Sequence, residues 1–287
     1  KVNYSAYSDC DIVKMNTEYI NEGKKPVVLQ KYMSAVLPIQ SDNCVLLHLD
    51  GSSKNECNEH IEPLTNGVRV ISTQSLSQMA KYNNASFMLG LDGRLDEVNC
   101  PVIAGTLVWM GNFHFEFHNT LTTTAPTLFM GGINPAASDY TLAGKKSLVT
   151  PEMIFTYTTN GKGEASRNFH RWAKKYGIWR GDRTRTTLLN NWEATYFDFN
   201  EEILTKIIGD AADMGFELFL LDDGWFGEKH PRNNDDAGLG DWMVNSKKLP
   251  NGIGYLVEEA TRNGIKFGIW LEPEMVNPRS ELYEKHP

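Results

Sequence analysis

Residues 219–228 read Phe-Leu-Leu-Asp-Asp-Gly-Trp-Phe-Gly-Glu, and they decide the class of fold. The apolar run from Phe216 to Leu221 that leads into them is typical of a strand buried on both faces. The run ends in two adjacent carboxylates, Asp222 and Asp223, which repel each other and lose hydration at such a position. A turn-capping role is open to Asp223 alone. A structural role for both acids is the weaker explanation, so we predict a binding site at this strand end.

The sequence on either side of this segment alternates between strands and helices. Strands are predicted over residues 186–192, 216–222 and 265–271, and helices over residues 201–214, 253–263 and 280–286. Asp198-Phe-Asn-Glu201 matches a capping box before the first helix, and Pro278 suits the first turn of the last one. This alternation predicts a parallel α/β sheet over residues 186–287.

Residues 1–163 have a different character, with short apolar or alternating runs separated by Asn-Gly, Asp-Gly and Gly-Gly. These runs predict an antiparallel β-sandwich with strands over residues 27–29, 45–49, 68–72 and 87–89. The clearest alternation, residues 113–118, places three phenylalanines on one face and His114, Glu116 and His118 on the other. An exposed polar face explains these three side chains, so no metal site is predicted. Residues 164–185 are interpreted as a linking helix and loop with one apolar stripe.

Composition excludes several classes of function. The 287 residues carry a formal net charge of -8, and they contain no Lys/Arg-rich run, which argues against nucleic-acid binding. No apolar run approaches the ~20 residues of a membrane helix. The four cysteines form no CxxC pair and are expected to be free core thiols rather than zinc ligands. We expect a protein of the cytoplasm, or an exported one whose signal peptide has been removed.

Polar and aromatic side chains follow all three predicted strands. The strands end in Asn190–Glu193, Asp222–Trp225 and Trp270–Glu274, and parallel strands bring such ends to one rim of a sheet. Carboxylates accept hydrogen bonds from sugar hydroxyls, and indole faces cover the apolar side of a sugar ring. The candidate ligands are Asp222, Asp223, Trp192 and Trp270, followed by Glu193, Trp225, Glu272 and Glu274.

Each of the weaker candidates has a plain structural alternative. A single indole such as Trp192 or Trp270 is often a packing residue. Glu193 is explained equally well as a solvated loop acid. Glu272 and Glu274 could orient the neighbouring backbone, because Pro273 between them fixes a bend.

Four motifs of the second half resemble a known family. In order, they are LNNWEATYFDF (residues 189–199), LFLLDDGWFG (218–227), LGDWMVNSKKLP (239–250) and FGIWLEPEMV (267–276). This set resembles the retaining α-galactosidases of glycoside hydrolase family thirty-six. The resemblance is strong over residues 186–287, and the β-rich first half is compatible with that family's N-terminal sandwich.

The resemblance implies an N-terminal β-sandwich followed by an incomplete (β/α)₈ TIM barrel. It implies cofactor-free hydrolysis of terminal α-linked galactose from oligosaccharides such as melibiose or raffinose. Asp222 and Asp223 would hold the galactose 4- and 6-hydroxyls, Trp192 would line the pocket, and Trp270 would lie nearby. The family commonly forms tetramers in which a neighbour's sandwich helps to close the pocket, so a homo-oligomer is expected.

One departure from the family pattern bears on activity. The family's nucleophile lies in a Lys-Trp-Asp motif that this sequence lacks, and the chain opens without an initiator Met. We therefore expect an inactive fragment whose nucleophile and acid/base lie beyond Pro287. A raffinose-synthase-like galactosyl transferase, an α-N-acetylgalactosaminidase and a non-catalytic carbohydrate-binding protein remain as alternatives.

Overall fold

The computed structural model describes residues 1–41, 43–52, 54–74, 82–120, 125–136 and 139–287. The chain divides into two compact units, Lys1–Asp182 and Arg183–Pro287, and each is described by itself.

The first unit is built almost entirely of antiparallel strands. In the described residues they are β1 (Val2–Tyr7), β2 (Ile12–Ile20), β3 (Val27–Leu29), β4 (Met33–Ile39), β5 (Val45–Ser52), β6 (Asn55–Pro63), β7 (Gly67–Ser72), β8 (Tyr82–Gly90), β9 (Val102–Leu107), β10 (Phe113–Asn119), β11 (Thr127–Ile133), β12 (Tyr140–Leu142), β13 (Ser147–Val149) and β14 (Met153–Thr158). One sheet has the order β1-β2-β14-β9-β8-β5-β6, with β13 paired to β2, and a second has the order β4-β11-β10-β7. A small third sheet joins β12 to β3.

The two larger sheets share one apolar core, which confirms the predicted sandwich. Phe113, Phe115 and Phe117 on β10 are buried together with Phe87 of the opposite sheet. The rings of Phe87 and Phe117 meet edge to face at 5.0 Å between centroids, a geometry worth about 0.5–1.5 kcal/mol beyond simple burial. Side chains alternate across a strand, so these phenylalanines fix which face of β10 is the core face.

The opposite face of β10 carries the predicted polar row. Glu116 accepts hydrogen bonds from His114 at 2.7 Å and His118 at 2.8 Å. Lys31 also donates to it at 2.7 Å. Burial opposes ionisation of this carboxyl, but the hydrogen bonds from Lys31, His118 and His114 outweigh it and lower the pKa of Glu116 to about 2.

Helix α1 (Gly161–Trp172) and a π-helical turn (Ala173–Gly177) complete the first unit. The predicted apolar stripe is confirmed, since Phe169 and Trp172 pack on the cluster around Ile154. The helix begins three residues earlier than the predicted Glu164. Its first residue, Gly161, has φ +80°, and a Cβ there would meet the Glu97 carbonyl oxygen at 2.4 Å. A glycine is therefore required where the start of the helix approaches the backbone at Glu97. The sequence pattern predicted a later start because glycine usually interrupts a helix.

The second unit has a three-stranded parallel sheet in the order β15-β16-β17, which confirms the predicted α/β arrangement. Its elements are β15 (Leu188–Asn190), α2 (Trp192–Thr195), α3 (Glu201–Asp213), β16 (Leu218–Leu221), α4 (Gly252–Arg262), β17 (Lys266–Ile269) and α5 (Glu281–Lys285). Phe219 and Leu221 of β16 are fully buried against Leu204 and Ile208 of α3 and Leu256 of α4. Apolar residues at helical spacing thus cover the sheet.

Three local predictions are wrong. The cap of α3 is Asn200, whose Oδ1 accepts the Ile203 N–H at 2.9 Å, because it stands one residue before the helix whereas Asp198 does not. The cap of α5 is Ser280, and Pro278 precedes the helix. Trp192 starts α2 instead of ending β15, since Asn190 Oδ1 accepts its N–H at 2.7 Å and turns the chain.

The structure has features that bear on membrane insertion, metal binding and the state of the cysteines. No described helix is long and apolar enough to cross a membrane. Within the described ranges, no three His, Cys, Asp or Glu side chains are grouped to hold a metal ion. All four cysteines are free; Cys10, Cys44 and Cys100 are buried as predicted, whereas Cys57 is exposed, because it lies on β6 at the edge of its sheet.

Candidate functional site at the strand ends

The three parallel strands end at one edge of their sheet, as predicted. Asn190 of β15 lies opposite Leu220 of β16, and Leu221 lies opposite Ile269 of β17. The ladder continues one step further, because the Trp270 N–H donates to the Leu221 carbonyl at 2.8 Å. Asn190, Asp222 and Trp270 therefore stand at neighbouring strand ends.

Asp222 is half-buried and oriented by its neighbours. Its Oδ2 accepts a hydrogen bond from Asn190 Nδ2 at 2.5 Å, and its Oδ1 accepts the Asp223 N–H at 2.7 Å. Its own N–H donates to Asn191 Oδ1 at 2.8 Å. A carboxylate offers about four lone-pair sites, so Asp222 retains acceptor capacity for a ligand.

Asp223 has a different environment, which sequence reasoning missed. It is only 6% exposed, and it forms a buried ion pair with Arg232, which is 3% exposed. Arg232 Nε lies 3.0 Å from each carboxylate oxygen, and Nη2 lies 2.7 Å from Oδ2. Asp223 thus has a structural partner that the sequence did not indicate, because a cation nine residues along the chain neutralises it. Its contact with a sugar stays a prediction.

Lys248 fixes the backbone around this pair. Its Nζ donates to the carbonyls of Phe197 at 2.8 Å, Gly224 at 2.9 Å and Arg232 at 3.4 Å. Burial lowers the pKa of Lys248, an effect that the charges of Asp223 and Asp198 oppose. One partly buried ammonium thus joins the loop after β15 to the loop after β16.

The predicted indoles fall into two groups. Trp225 is 4% exposed and donates its Nε1–H to the Trp270 carbonyl at 3.1 Å, so its side chain is used in packing and not presented to a ligand. Trp192 and Trp270 are only partly buried. Trp192 meets the ring of Phe197 edge to face at 4.9 Å, and Trp270 stacks near Phe226 at 6.4 Å. Part of each of these two indoles is therefore exposed to solvent.

The predicted glutamates also differ from one another. Glu193 is exposed and accepts a hydrogen bond from the Tyr196 hydroxyl at 3.1 Å. Burial and the charge of Glu274 raise the pKa of Glu272, and the charge of Arg232 opposes the rise. Glu272 therefore belongs to the same charged group as Asp223 and Arg232, whereas the contacts of Glu193 are local. Glu274, two residues after Glu272, is exposed.

Sequence reasoning missed Asn190, Arg232 and Lys248 as members of the site. Arg232 and Lys248 stand in irregular segments rich in Asn, Asp, Gly and Pro, where no periodicity assigns a face. The only available signal was the isolated arginine between residues 230 and 246, which hold several acids and no other Arg or Lys.

Two family descriptions match this chain. The one for the glycosyl hydrolase family 36 N-terminal domain matches residues 1–143, and the one called Melibiase matches residues 147–287. Only residues 144–146 lie between them. The chain belongs to glycosyl hydrolase family 36. Its sandwich is the family's N-terminal domain, and its three parallel strands form the start of the Melibiase barrel.

Relatives in family 36 match the chain over its full length. It is 36% identical over 287 residues to α-galactosidase AgaA of Geobacillus stearothermophilus and 33% identical to α-galactosidase Mel36A of Lactobacillus acidophilus, with 99% of this chain covered in both cases. The crystal structure of AgaA superposes on all of it with a TM-score of 0.91. Variants of AgaA have been crystallised with stachyose and raffinose. The chain spans 38–39% of the length of these relatives.

Proposed function

We propose that the protein is an α-galactosidase that hydrolyses terminal α-linked galactose from oligosaccharides of the raffinose type. One observation carries the proposal: the whole chain superposes on the α-galactosidase AgaA with a TM-score of 0.91 at 34% identity. Complexes of AgaA variants with stachyose and raffinose support this class of substrate. In this proposal, the chain contributes part of the galactose pocket.

We assign Asp222 and Asp223 to substrate binding. The 4-hydroxyl of galactose is axial and lies close to the 6-hydroxyl, so two carboxylates at one strand end can accept from both. The half-buried indoles Trp192 and Trp270 would cover the apolar faces of the sugar. Glu272 is a weaker candidate, and Glu193 and Glu274 are weaker still.

Neither aspartate is assigned to the chemical step. Retaining glycosidases need two carboxyl groups about 5–5.5 Å apart, one on each side of the scissile bond. Asp222 and Asp223 are consecutive residues at one strand end, and Asp223 is held by Arg232, so they cannot flank that bond. We assign the nucleophile and the acid/base to no residue of this chain.

The test is an assay of the protein expressed from its complete reading frame on an aryl α-galactoside. The aryl β-galactoside, α-glucoside and α-N-acetylgalactosaminide serve as controls. We expect turnover of the α-galactoside alone, and preferential turnover of the N-acetylated substrate would overturn the assignment. With raffinose, galactose released to water supports a hydrolase, whereas transfer to added sucrose indicates the transferase.

Variants of the same protein test the site. Asp222→Asn should lower kcat/KM for the α-galactoside by about 100-fold, because a charged acceptor of hydroxyls becomes a neutral amide. Asp213→Asn, an exposed change at the end of α3, should leave it within about twofold. Equal effects of the two changes would remove Asp222 from the site. A protein that binds galactose without hydrolysing it would be the non-catalytic alternative.

We further propose that the protein acts as a homo-oligomer, which is the usual state implied by the family resemblance. Light scattering of the protein from its complete reading frame tests this, and a single monomeric mass at micromolar concentration would contradict it.

A further inference from the structure

The guanidinium of Arg232 is engaged on all three of its nitrogens. Nε and Nη2 hold Asp223, and Nη2 also lies 3.3 Å from Asp235. Nη1 donates to the Ala237 carbonyl at 3.2 Å and to Asn277 Oδ1 at 3.4 Å. A guanidinium has five N–H donors, and these contacts use all of them.

These contacts connect the segments that follow all three strands. The guanidinium lies 5.4 Å from the centre of the Phe197 ring, which follows β15. It pairs with Asp223, which follows β16. It bonds Asn277, which follows β17 and in turn accepts the Leu239 N–H at 2.9 Å.

We propose that Arg232 is a positioning residue for the galactose pocket: it orients Asp223 as a hydroxyl acceptor and holds the three strand-end segments in register around the sugar. The proposal rests on the proposed function and deepens it. Arg232 itself touches no substrate, because its donors are all engaged within the protein.

The geometry of the ion pair supports this role. A planar guanidinium donates two hydrogen bonds to the two oxygens of a carboxylate. This contact fixes the orientation of the carboxylate as well as neutralising its charge. A carboxylate has about four lone-pair sites, so the three contacts from Arg232 leave about one on Asp223 for a hydroxyl. A lysine supplies the same charge through a single flexible point, so it would neutralise Asp223 without fixing its direction.

The charge of Arg232 also matters to its neighbours. Burial, followed by the charges of Glu274, Asp223 and Asp235, raises the pKa of Glu272, and the charge of Arg232 acts against them. Loss of the guanidinium charge should therefore raise the pKa of Glu272 further, whereas a lysine, which keeps the charge, should not.

The test compares Arg232→Lys, Arg232→Met and the exposed control Arg262→Met in the protein from its complete reading frame. The dissociation constant for D-galactose is measured by calorimetry on folded protein. We expect Arg232→Lys to weaken binding about tenfold, because the two-point contact with Asp223 is lost. Arg262→Met, whose partner is Glu259 on the same helix, should remain within about twofold.

A second readout separates the charge of Arg232 from the geometry of its contact with Asp223. The carboxyl signal of Glu272 is followed by NMR against pH in protein labelled with ¹³C-glutamate. Arg232→Met should move its titration to higher pH, and Arg232→Lys should leave it close to the wild-type position. Should Arg232→Met fail to fold, Arg232→Lys alone still decides through its dissociation constant.

The outcomes distinguish this inference from the proposed function. If the wild-type protein binds galactose and Arg232→Lys binds it equally well, the positioning role is overturned and the galactosidase assignment stands. Weaker binding by Arg232→Lys with normal thermal stability supports the role. If the wild-type protein binds no galactose, the proposed function itself fails.

Discussion

Glu116 and Asp223 are both carboxylates held by several donors, yet they differ in how far those donors lie along the chain. Two partners of Glu116 stand two residues away on the same strand, at His114 and His118. The partner of Asp223 stands nine residues away in an irregular loop. Strand periodicity therefore accounts for the two histidines of the first cluster, although not for Lys31, whereas the second cluster follows only from the folded loop.

This contrast also separates the energetic roles of the two sites. The Glu116 cluster lies on the outer face of a sheet, where Lys31 is 44% and His118 38% exposed. The side chains of Asp223 and Arg232 are 8% and 4% exposed. Water can replace a lost partner at the first site, but it has little access to the second.

The largest effect is expected from Asp223→Ala. The change leaves the buried Arg232 with only the exposed Asp235 as an ionic partner, which should lower the free energy of unfolding by about 3 kcal/mol. Hydrogen exchange of peptides from residues 183–287 in increasing urea measures this unit separately. Asp235→Ala is the matched control, because its side chain is 81% exposed in the same ion pair. It should cost under about 0.5 kcal/mol, and equal losses would contradict the contrast.

A somewhat smaller effect is expected from Lys248→Met. Three carbonyls, of Phe197, Gly224 and Arg232, lose their donor. The free energy of unfolding should fall by about 2 kcal/mol, because the carbonyls of the buried residues Gly224 and Arg232 are left without this donor. The same exchange experiment applies, with exposed Lys247→Met as the control. A loss at Lys248 no larger than at Lys247 would show that these carbonyls are hydrated.

The Glu116 site should show a pH-dependent effect. The pKa of Glu116 is lowered to about 2, so its contribution is complete above its unfolded value near 4.5 and is lost as pH falls towards 2. Partly exposed partners reduce that contribution to about 1–2 kcal/mol. Urea unfolding of wild type and Glu116→Gln, followed by exchange of peptides around β10, should give different stabilities at pH 6 and nearly equal ones at pH 2. A difference that does not change with pH would contradict this reading.

The smallest effect concerns the start of α3. Asn200→Ala should cost about 1 kcal/mol, because the Ile203 N–H loses its cap. Asp198→Ala should change the free energy of unfolding by less than about 0.5 kcal/mol. Exchange rates of the first-turn amides of α3 measure both, and a larger effect at Asp198 would restore the capping box predicted from the sequence.

Regular structure could be predicted because its signals are local. The alternation of Phe113, Phe115 and Phe117 fixes the core face of β10, and the apolar run before Asp222 fixes a buried strand. The loop contacts could not be predicted, since side chains of Asn190, Arg232 and Lys248 reach partners in separate segments. The sequence marks the two adjacent aspartates as unusual, but it does not show that Arg232 neutralises Asp223.

The most direct measurement is a crystal structure of the protein from its complete reading frame with D-galactose bound. The account predicts a hexose at the ends of β15, β16 and β17, with hydroxyls within hydrogen-bond distance of Asp222 and Asp223 and with the Asp223–Arg232 pair intact. A hexose bound elsewhere, with both aspartates contacting only protein, would contradict it.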